Sequence, residues 1–285
     1  MLFLAISIVG PWWGRVEEQI SQLGREVYFL IDVSASMQTE DIKPSRFDKV
    51  KKEVRDMINQ LQGDKVGIIA FTTKAYVRCP LTNDYKAALL FLDILEPTQY
   101  SSSGTDFRSA LKLAYTRFFK GDQLEEGGEG QRKKVTRSVV LISDGEHFGE
   151  EYQSLVQRMQ DAGITVFPVG VGTYAGGKVP NFRGKRQMGF KKNDDGSAAI
   201  STLTDDALMD LADQFGVEYV RIDDQIDDLN PVLNQIETQA ASVVDRESRL
   251  AEVNRYQIFL LLTVLCFFAS MVLMPFQTKK QRPRV

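Results

Sequence analysis

Between residues 26 and 222 the chain alternates two hydrophobic periods. EVYFLIDV, KVGIIAF, AYVRCPL, SVVLIS, ITVFPVGVG and VEYVRI are short apolar runs rich in β-branched and aromatic residues, and each predicts a strand. Thr73–Lys74 is a turn joining the second run to the third. Between the runs, apolar residues recur at helical spacing over 46–61, 84–95, 106–119, 151–162 and 203–215. In 84–95 the inward positions are read as Leu89, Leu90 and Phe91, and in 106–119 as Phe107, Ala110, Leu111, Ala114 and Phe118. Strands alternating with helices imply an α/β domain, doubly wound, with a mostly parallel sheet flanked by helices on both faces.

Two segments break this rhythm. Residues 121–136 (GDQLEEGGEGQRKKVT) are Gly-rich and charged and read as a solvated loop. Residues 174–201 form a long polar insertion with NDDG at 193–196 as its hairpin turn; a loop this long in a compact domain is often functional. Its basic stretch 185–192 (KRQMGFKK) suits either contact with anionic headgroups or one solvated face of the hairpin.

The flanks carry a different pattern. Residues 256–278 contain no charged side chain, and about 20 apolar residues cross a bilayer, so a transmembrane helix is expected at 256–276. The tail 277–285 holds Lys279, Lys280, Arg282 and Arg284, which by the positive-inside rule places it in the cytoplasm and the large domain outside. The apolar start, 1–14, is too short for a full span and lacks a basic region ahead of it; it reads as the end of a membrane segment, with Trp12 and Trp13 at headgroup level. An amphipathic connector over 231–255 carries Leu233, Ile236, Ala240, Val243 and Leu250. It is either one helix continuing into the membrane or a final helix followed by a short linker.

Composition narrows the chemistry. With 35 Lys+Arg against 38 Asp+Glu the net charge is −3, so no basic excess points to nucleic acid. Two cysteines, one of them inside the apolar tail run, exclude a disulfide scaffold and a CxxC zinc site. The single histidine, His147, leaves little for zinc enzymes or a His-based triad, so any metal should be hard and oxygen-ligated. Oxygen ligands are what the strand ends offer. The first strand ends in Asp32-Val33-Ser34-Ala35-Ser36, Ser103-Gly104-Thr105-Asp106 opens a helix, and Ser143-Asp144-Gly145-Glu146 follows SVVLIS. In an open α/β sheet ligands bind beyond the carboxyl ends of the strands. Asp32, Ser34, Ser36, Thr105 and Asp144 therefore form a candidate site for Mg²⁺ or Mn²⁺. Helix capping would explain the hydroxyls but not an acid at the ends of two different strands. Asp41 and Asp106 suit either an outer shell or plain helix starts; Glu146 stands beside them, and His147 suits either a hydrogen bond to Asp144 or Glu146 or an exposed loop.

DVSAS, SGTD and ISDGE in this order resemble the metal-ion-dependent adhesion site of von Willebrand factor A domains. A wider resemblance, carried by GPWWG, DVSASMQTEDIKPSRFDKVK, SSSGTDFRSAL, the long loop after VGVGT and the terminal membrane run, is to the bacterial Bat (aerotolerance operon) membrane proteins. The departures are a shorter N-terminal membrane portion and His147 where an acid often follows DGE. The resemblance implies direct metal binding by Ser34 and Ser36, by Thr105 either directly or through water, and water-mediated roles for Asp32 and Asp144. It further implies a non-enzymatic module in the bacterial inner membrane with an extracytoplasmic domain. Its metal would capture an acidic residue of a protein partner, among other von Willebrand A membrane proteins and a MoxR-type AAA+ ATPase. Two other roles stand beside this one: a structural subunit in which metal only stabilises, and a Mg²⁺-dependent phosphoesterase. The second lacks a GxxxxGK[ST] loop.

Overall fold

The computed structural model describes residues 12–15, 24–97, 104–125, 135–146, 151–183, 186–223, 228–248 and 252–254, with 261, 263–265 and 268. Contacts divide the chain into two compact units: Gln22–Ala241, and Met1–Ser21 with Ser242–Val285.

The larger unit is built on six strands: β2 (Arg25–Asp32), β3 (Lys65–Phe71), β4 (Ala75–Thr82), β5 (Thr136–Ser143), β6 (Ile164–Val171) and β11 (Val220–Ile222). They lie in the order β11-β6-β5-β2-β3-β4, parallel except for β4, which pairs antiparallel with β3 at the edge. The doubly wound expectation holds, and the order reverses between β2 and β5, where such sheets place their ligands. In that pair Ile31 lies opposite Ile142, so Asp32 and Ser143 leave neighbouring strands side by side.

Strand alternation sends β2 into two cores. Val27, Phe29 and Ile31 face helices α1 (Arg46–Gln60), α2 (Tyr85–Asp93) and α6 (Asn230–Ser248). Tyr28 and Leu30 face α3 (Phe107–Glu125), α4 (Gln153–Asp161) and α5 (Asp206–Phe215). Each large apolar side chain removed from water contributes about 1.5–3 kcal/mol, which is why the interior strands read as unbroken apolar runs. The helices begin where capping allows. Ser45 accepts from the Asp48 amide at 3.1 Å, and Asp84 accepts from that of Ala87 at 3.0 Å. Helix α5 stops at Gly216, whose left-handed φ of 64° lets the chain turn back.

Several expectations are adjusted. Leu90 is 61% exposed rather than inward; Ala88 and Leu92 are the buried positions of α2, with Leu89 and Phe91 packed partly against the core. The backbone stays helical through Gly121–Glu125, so the charged loop starts later than its glycines suggest; the rest of it, 126–134, lies outside the described residues. The 174–201 insertion has structure of its own. Strand β8 (Pro180–Arg183) pairs with β9 (Arg186–Phe190), and β7 (Gly177–Lys178) with β10 (Ile200–Ser201), both antiparallel. The NDDG turn is in place, with the Asn193 amide donating to Ser197 O at 2.9 Å.

In the smaller unit β1 (Trp12–Arg15) pairs antiparallel with β12 (Glu252–Asn254). Helix α6 ends at Ser248 and Glu252–Asn254 is a strand, so the connector is not one helix over 231–255. Most of 1–14 and 256–276, the expected membrane segments, and all of 277–285 lie outside the described residues, among which no helix is long and apolar enough to cross a membrane.

Candidate functional site

Three strand-to-helix edges meet at the reversal between β2 and β5. Asp32 is the last residue of β2 and has no solvent exposure. The chain then turns through a 3₁₀ segment, Ala35–Gln38, which directs the Ser34 amide onto Asp32 Oδ1 at 2.8 Å and holds Ser34 Oγ 2.9 Å from Ser36 Oγ. Thr105 precedes α3. Phe107, packed edge-on to Phe71 with ring centroids 6.2 Å apart, pins the start of that helix, and the Asp106 amide donates to Thr72 O at 2.9 Å. So held, Thr105 donates its hydroxyl to Asp32 Oδ2 at 3.2 Å.

Asp144 follows β5 and is likewise fully buried. Its carbonyl accepts from the Thr204 amide at 3.0 Å, and Ser36 reaches its carboxylate. The turn after it demands glycine: Gly145 has φ +80°, and a Cβ there would fall 1.7 Å from Thr204 O. Asp32, Ser34, Ser36 and Thr105 are thus linked by hydrogen bonds, and Asp144, 112 positions beyond Asp32 (144 − 32) in the sequence, lies close enough for its charge to act on the Asp32 carboxyl.

Sequence reasoning did not single out Ser143, Arg46, Thr173 or Ser201. Ser143 donates to Asp32 Oδ2 at 2.7 Å and accepts from the Gly145 amide at 3.1 Å. Arg46, in the first turn of α1, is completely buried. Its guanidinium holds Asp41 with two bonds of 2.7 Å, and its third nitrogen donates at 3.0 Å to both Asp144 Oδ2 and Ser201 Oγ. Asp41 also accepts from the Thr173 amide at 2.9 Å and hydroxyl at 3.0 Å. Ser201, on β10, donates to Glu146 Oε1 at 2.9 Å. A signal for Arg46 existed, since it occupies the same helical stripe as the buried Val50 and Val54, where an arginine needs a partner.

Of the four suggested outer residues, Asp41 and Glu146 join the network through Arg46 and Ser201. Asp106 instead accepts from the Arg108 and Ser109 amides of α3 at 3.0 and 3.2 Å, a helix-start role. His147 and Ser103 lie outside the described residues.

The electrostatics follow from burial. Burial, and then the neighbouring Asp144 charge, push the Asp32 carboxyl up to about 7 against the pull of Ser143 and Ser34. Burial also raises Asp144, opposed by Ser36 and Arg46, and burial with Asp144 raises Glu146. At Asp41 burial works the same way, but the Arg46 fork and Thr173 outweigh it and hold the carboxyl below its ordinary range. Among the described residues no three His, Cys, Asp or Glu side chains form a metal cluster of their own; the candidate set has two acids and otherwise hydroxyls. Its chemistry fits a hard divalent ion, because every donor is oxygen, Asp41, Asp144 and Glu146 share one guanidinium, and Asp32 is buried beside the Asp144 charge.

Residues 27–147 match the family described as von Willebrand factor type A domain. The crystal structure of the conserved hypothetical protein BatB from Bacteroides thetaiotaomicron is similar, with TM-score 0.63 and 28% identity over 79% of this chain and 100% of that one. An aerotolerance-related membrane protein from Bacteroides fragilis gives TM-score 0.64 and 27% identity over 77% and 100%. Among curated relatives, a UPF0353 protein of Mycolicibacterium paratuberculosis is 29% identical over 51% of this chain, and an uncharacterized protein of Borreliella burgdorferi 22% over 60%. The chain spans under half the length of these curated relatives, 41% and 48% respectively. Fold, strand-end residues and matches agree: residues 27–147 carry a von Willebrand factor type A domain match, and the chain is similar to the Bat aerotolerance proteins.

Proposed function

We propose that the protein is a membrane-tethered recognition subunit whose von Willebrand A domain holds Mg²⁺ or Mn²⁺ at Asp32, Ser34, Ser36, Thr105 and Asp144. The observation that carries this reading is the convergence of three strand ends on two fully buried carboxylates surrounded by hydroxyls. Like charges buried together are costly, and a bound divalent cation would offset them. Ser34, Ser36 and Thr105 would contact the ion, while Asp32 and Asp144 would orient its waters and neutralise it. With so few charged ligands the ion stays electrophilic, and a carboxylate supplied by a protein partner is the group that completes its shell.

Arg46 argues against a purely stabilising metal. Its guanidinium fastens Asp144 to Asp41 and offsets part of the cost of burying it, so the carboxylate is held in place without an ion. Tethering is supported by the uncharged run over 256–278 and by the similar Bacteroides fragilis protein, which is described as a membrane protein. The cationic tail favours an extracytoplasmic domain. A partnership with a MoxR-type ATPase and other von Willebrand A proteins, in envelope stress tolerance, rests on the Bat resemblance.

Crosslinking and mass spectrometry of the full-length protein in its own membrane test the proposal, comparing wild type, chelator-treated wild type and Asp32→Ala. Crosslinks to a protein partner that vanish in both treatments are expected. Crosslinks indifferent to both would overturn it.

A further inference from the structure

The insertion between β6 and α5 is more than a solvated loop. Its strand β8 packs against the 3₁₀ turn Ala35–Gln38, which carries Ser36. Gly177 of β7 lies so close to the following segment that a Cβ there would sit 2.6 Å from Thr39 Cγ2 and 3.2 Å from Asp41 Cβ. At its other end Ser201 bonds Arg46 and Glu146. Both ends of the insertion are therefore fastened to the candidate metal site. Its middle is a small sheet of its own: Lys191 N donates to Val179 O at 2.8 Å, and Val179 N to Ala199 O at 2.9 Å.

What this sheet presents is mainly cationic, its acids confined to Asp194 and Asp195 at the NDDG turn. From Gly176 to Asn193 the sequence contains no acidic residue, while Lys178, Arg186 and Lys192 are exposed and Lys191 half-buried. All five residues of β9 are exposed, including Met188 and Phe190, and Lys178 Nζ stands 5.5 Å from the centre of the Phe190 ring. Exposed apolar side chains set among cations are a surface for a partner that is acidic and partly apolar.

We infer that this basic hairpin is the second half of the recognition surface, binding an acidic protein segment whose leading carboxylate reaches the metal site. The inference rests on the proposed metal-dependent capture and adds the chemistry of the partner: a run of acids interspersed with apolar residues. An acidic segment is favoured over anionic lipid because the hairpin is anchored to the rim of the metal site, so one extended ligand can meet both.

The test uses the full chain in discs of zwitterionic lipid, with fluorescence anisotropy of a labelled oligoglutamate peptide in Mg²⁺. Wild type should bind it. Arg186→Glu/Lys192→Glu should weaken binding about tenfold by turning two surface attractions into repulsions, with Mg²⁺ affinity unchanged. Lys178→Glu, made separately, should act in the same direction. No binding by wild type, or equal binding by these variants, overturns the inference. So does unchanged peptide binding with loss of binding to phosphatidylglycerol vesicles, which would mark a lipid surface. Hairpin-dependent binding that survives chelator and Asp32→Ala supports the hairpin and refutes the metal reading. Metal-dependent binding that ignores the hairpin does the reverse.

Discussion

Replacing Arg46 by methionine keeps the aliphatic stem and deletes a guanidinium that makes bonds of 2.7–3.0 Å to Asp41, Asp144 and Ser201 in a place with no solvent exposure. Removing one member of a buried ion pair leaves its partner charged and desolvated, at a cost of about 3–5 kcal/mol. Here two carboxylates lose their partner, so the upper part of that range is expected. Against a total stability of about 5–15 kcal/mol, the variant should still fold but open far more often. Tryptophan fluorescence would miss this, because Trp12 and Trp13 both belong to the smaller unit. Hydrogen exchange of β2 and β5 peptides reports it directly: at about 1.4 kcal/mol per decade, protection should fall roughly 100-fold or more. Arg46→Lys should recover only part, since an ammonium cannot fork onto Asp41 and also reach Asp144. Adding Asp41→Asn to Arg46→Met should cost less than the sum of the two single changes. A loss of protection under tenfold in Arg46→Met would refute the account of Arg46 as the buried clamp of the site.

Gly145→Ala should destabilise by at least about 2 kcal/mol, because φ is positive there and Thr204 O occupies the space; a melting curve matching wild type would contradict this. Ser143→Ala should cost about 1–3 kcal/mol in denaturant titrations, as Asp32 and the Gly145 amide each lose a buried partner, and no change in midpoint would argue against their coupling. The depressed Asp41 carboxyl gives a pH signature. Its folded-state value lies below the unfolded one, near 4, so its contribution is complete above that pH and is lost as the pH falls towards the folded value. Asp41→Asn should therefore be less stable than wild type at pH 6, with the gap narrowing as the pH falls below about 4; parallel curves would contradict the pairing.

The sheet was legible because its interior strands are buried on both faces and leave continuous apolar runs, as in KVGIIAF and SVVLIS. Helix α3 was legible position by position, since Phe107, Ala110, Leu111, Ala114 and Phe118 keep strict helical spacing towards one core. Leu90 was misjudged because an apolar residue on a partly covered helix carries no mark of which side it faces. Gly121 did not stop α3, because glycine lowers helix propensity by only about 1 kcal/mol. The two strand-end acids could be found because each follows an apolar run directly. Ser201 could not, because a serine 57 positions beyond Asp144 (201 − 144) gives no local sign that tertiary folding brings it to Arg46. Arg46 was legible in principle, as a charged residue on an otherwise apolar helical stripe.

Titration of Mg²⁺ into chelator-stripped full-length protein by calorimetry tests the central claim most directly. A single saturable site is predicted in wild type, weakened at least about tenfold by Asp32→Ala and by Ser36→Ala, each of which removes an oxygen from the proposed set. Heats that do not saturate, or that are the same in both variants as in wild type, would contradict it.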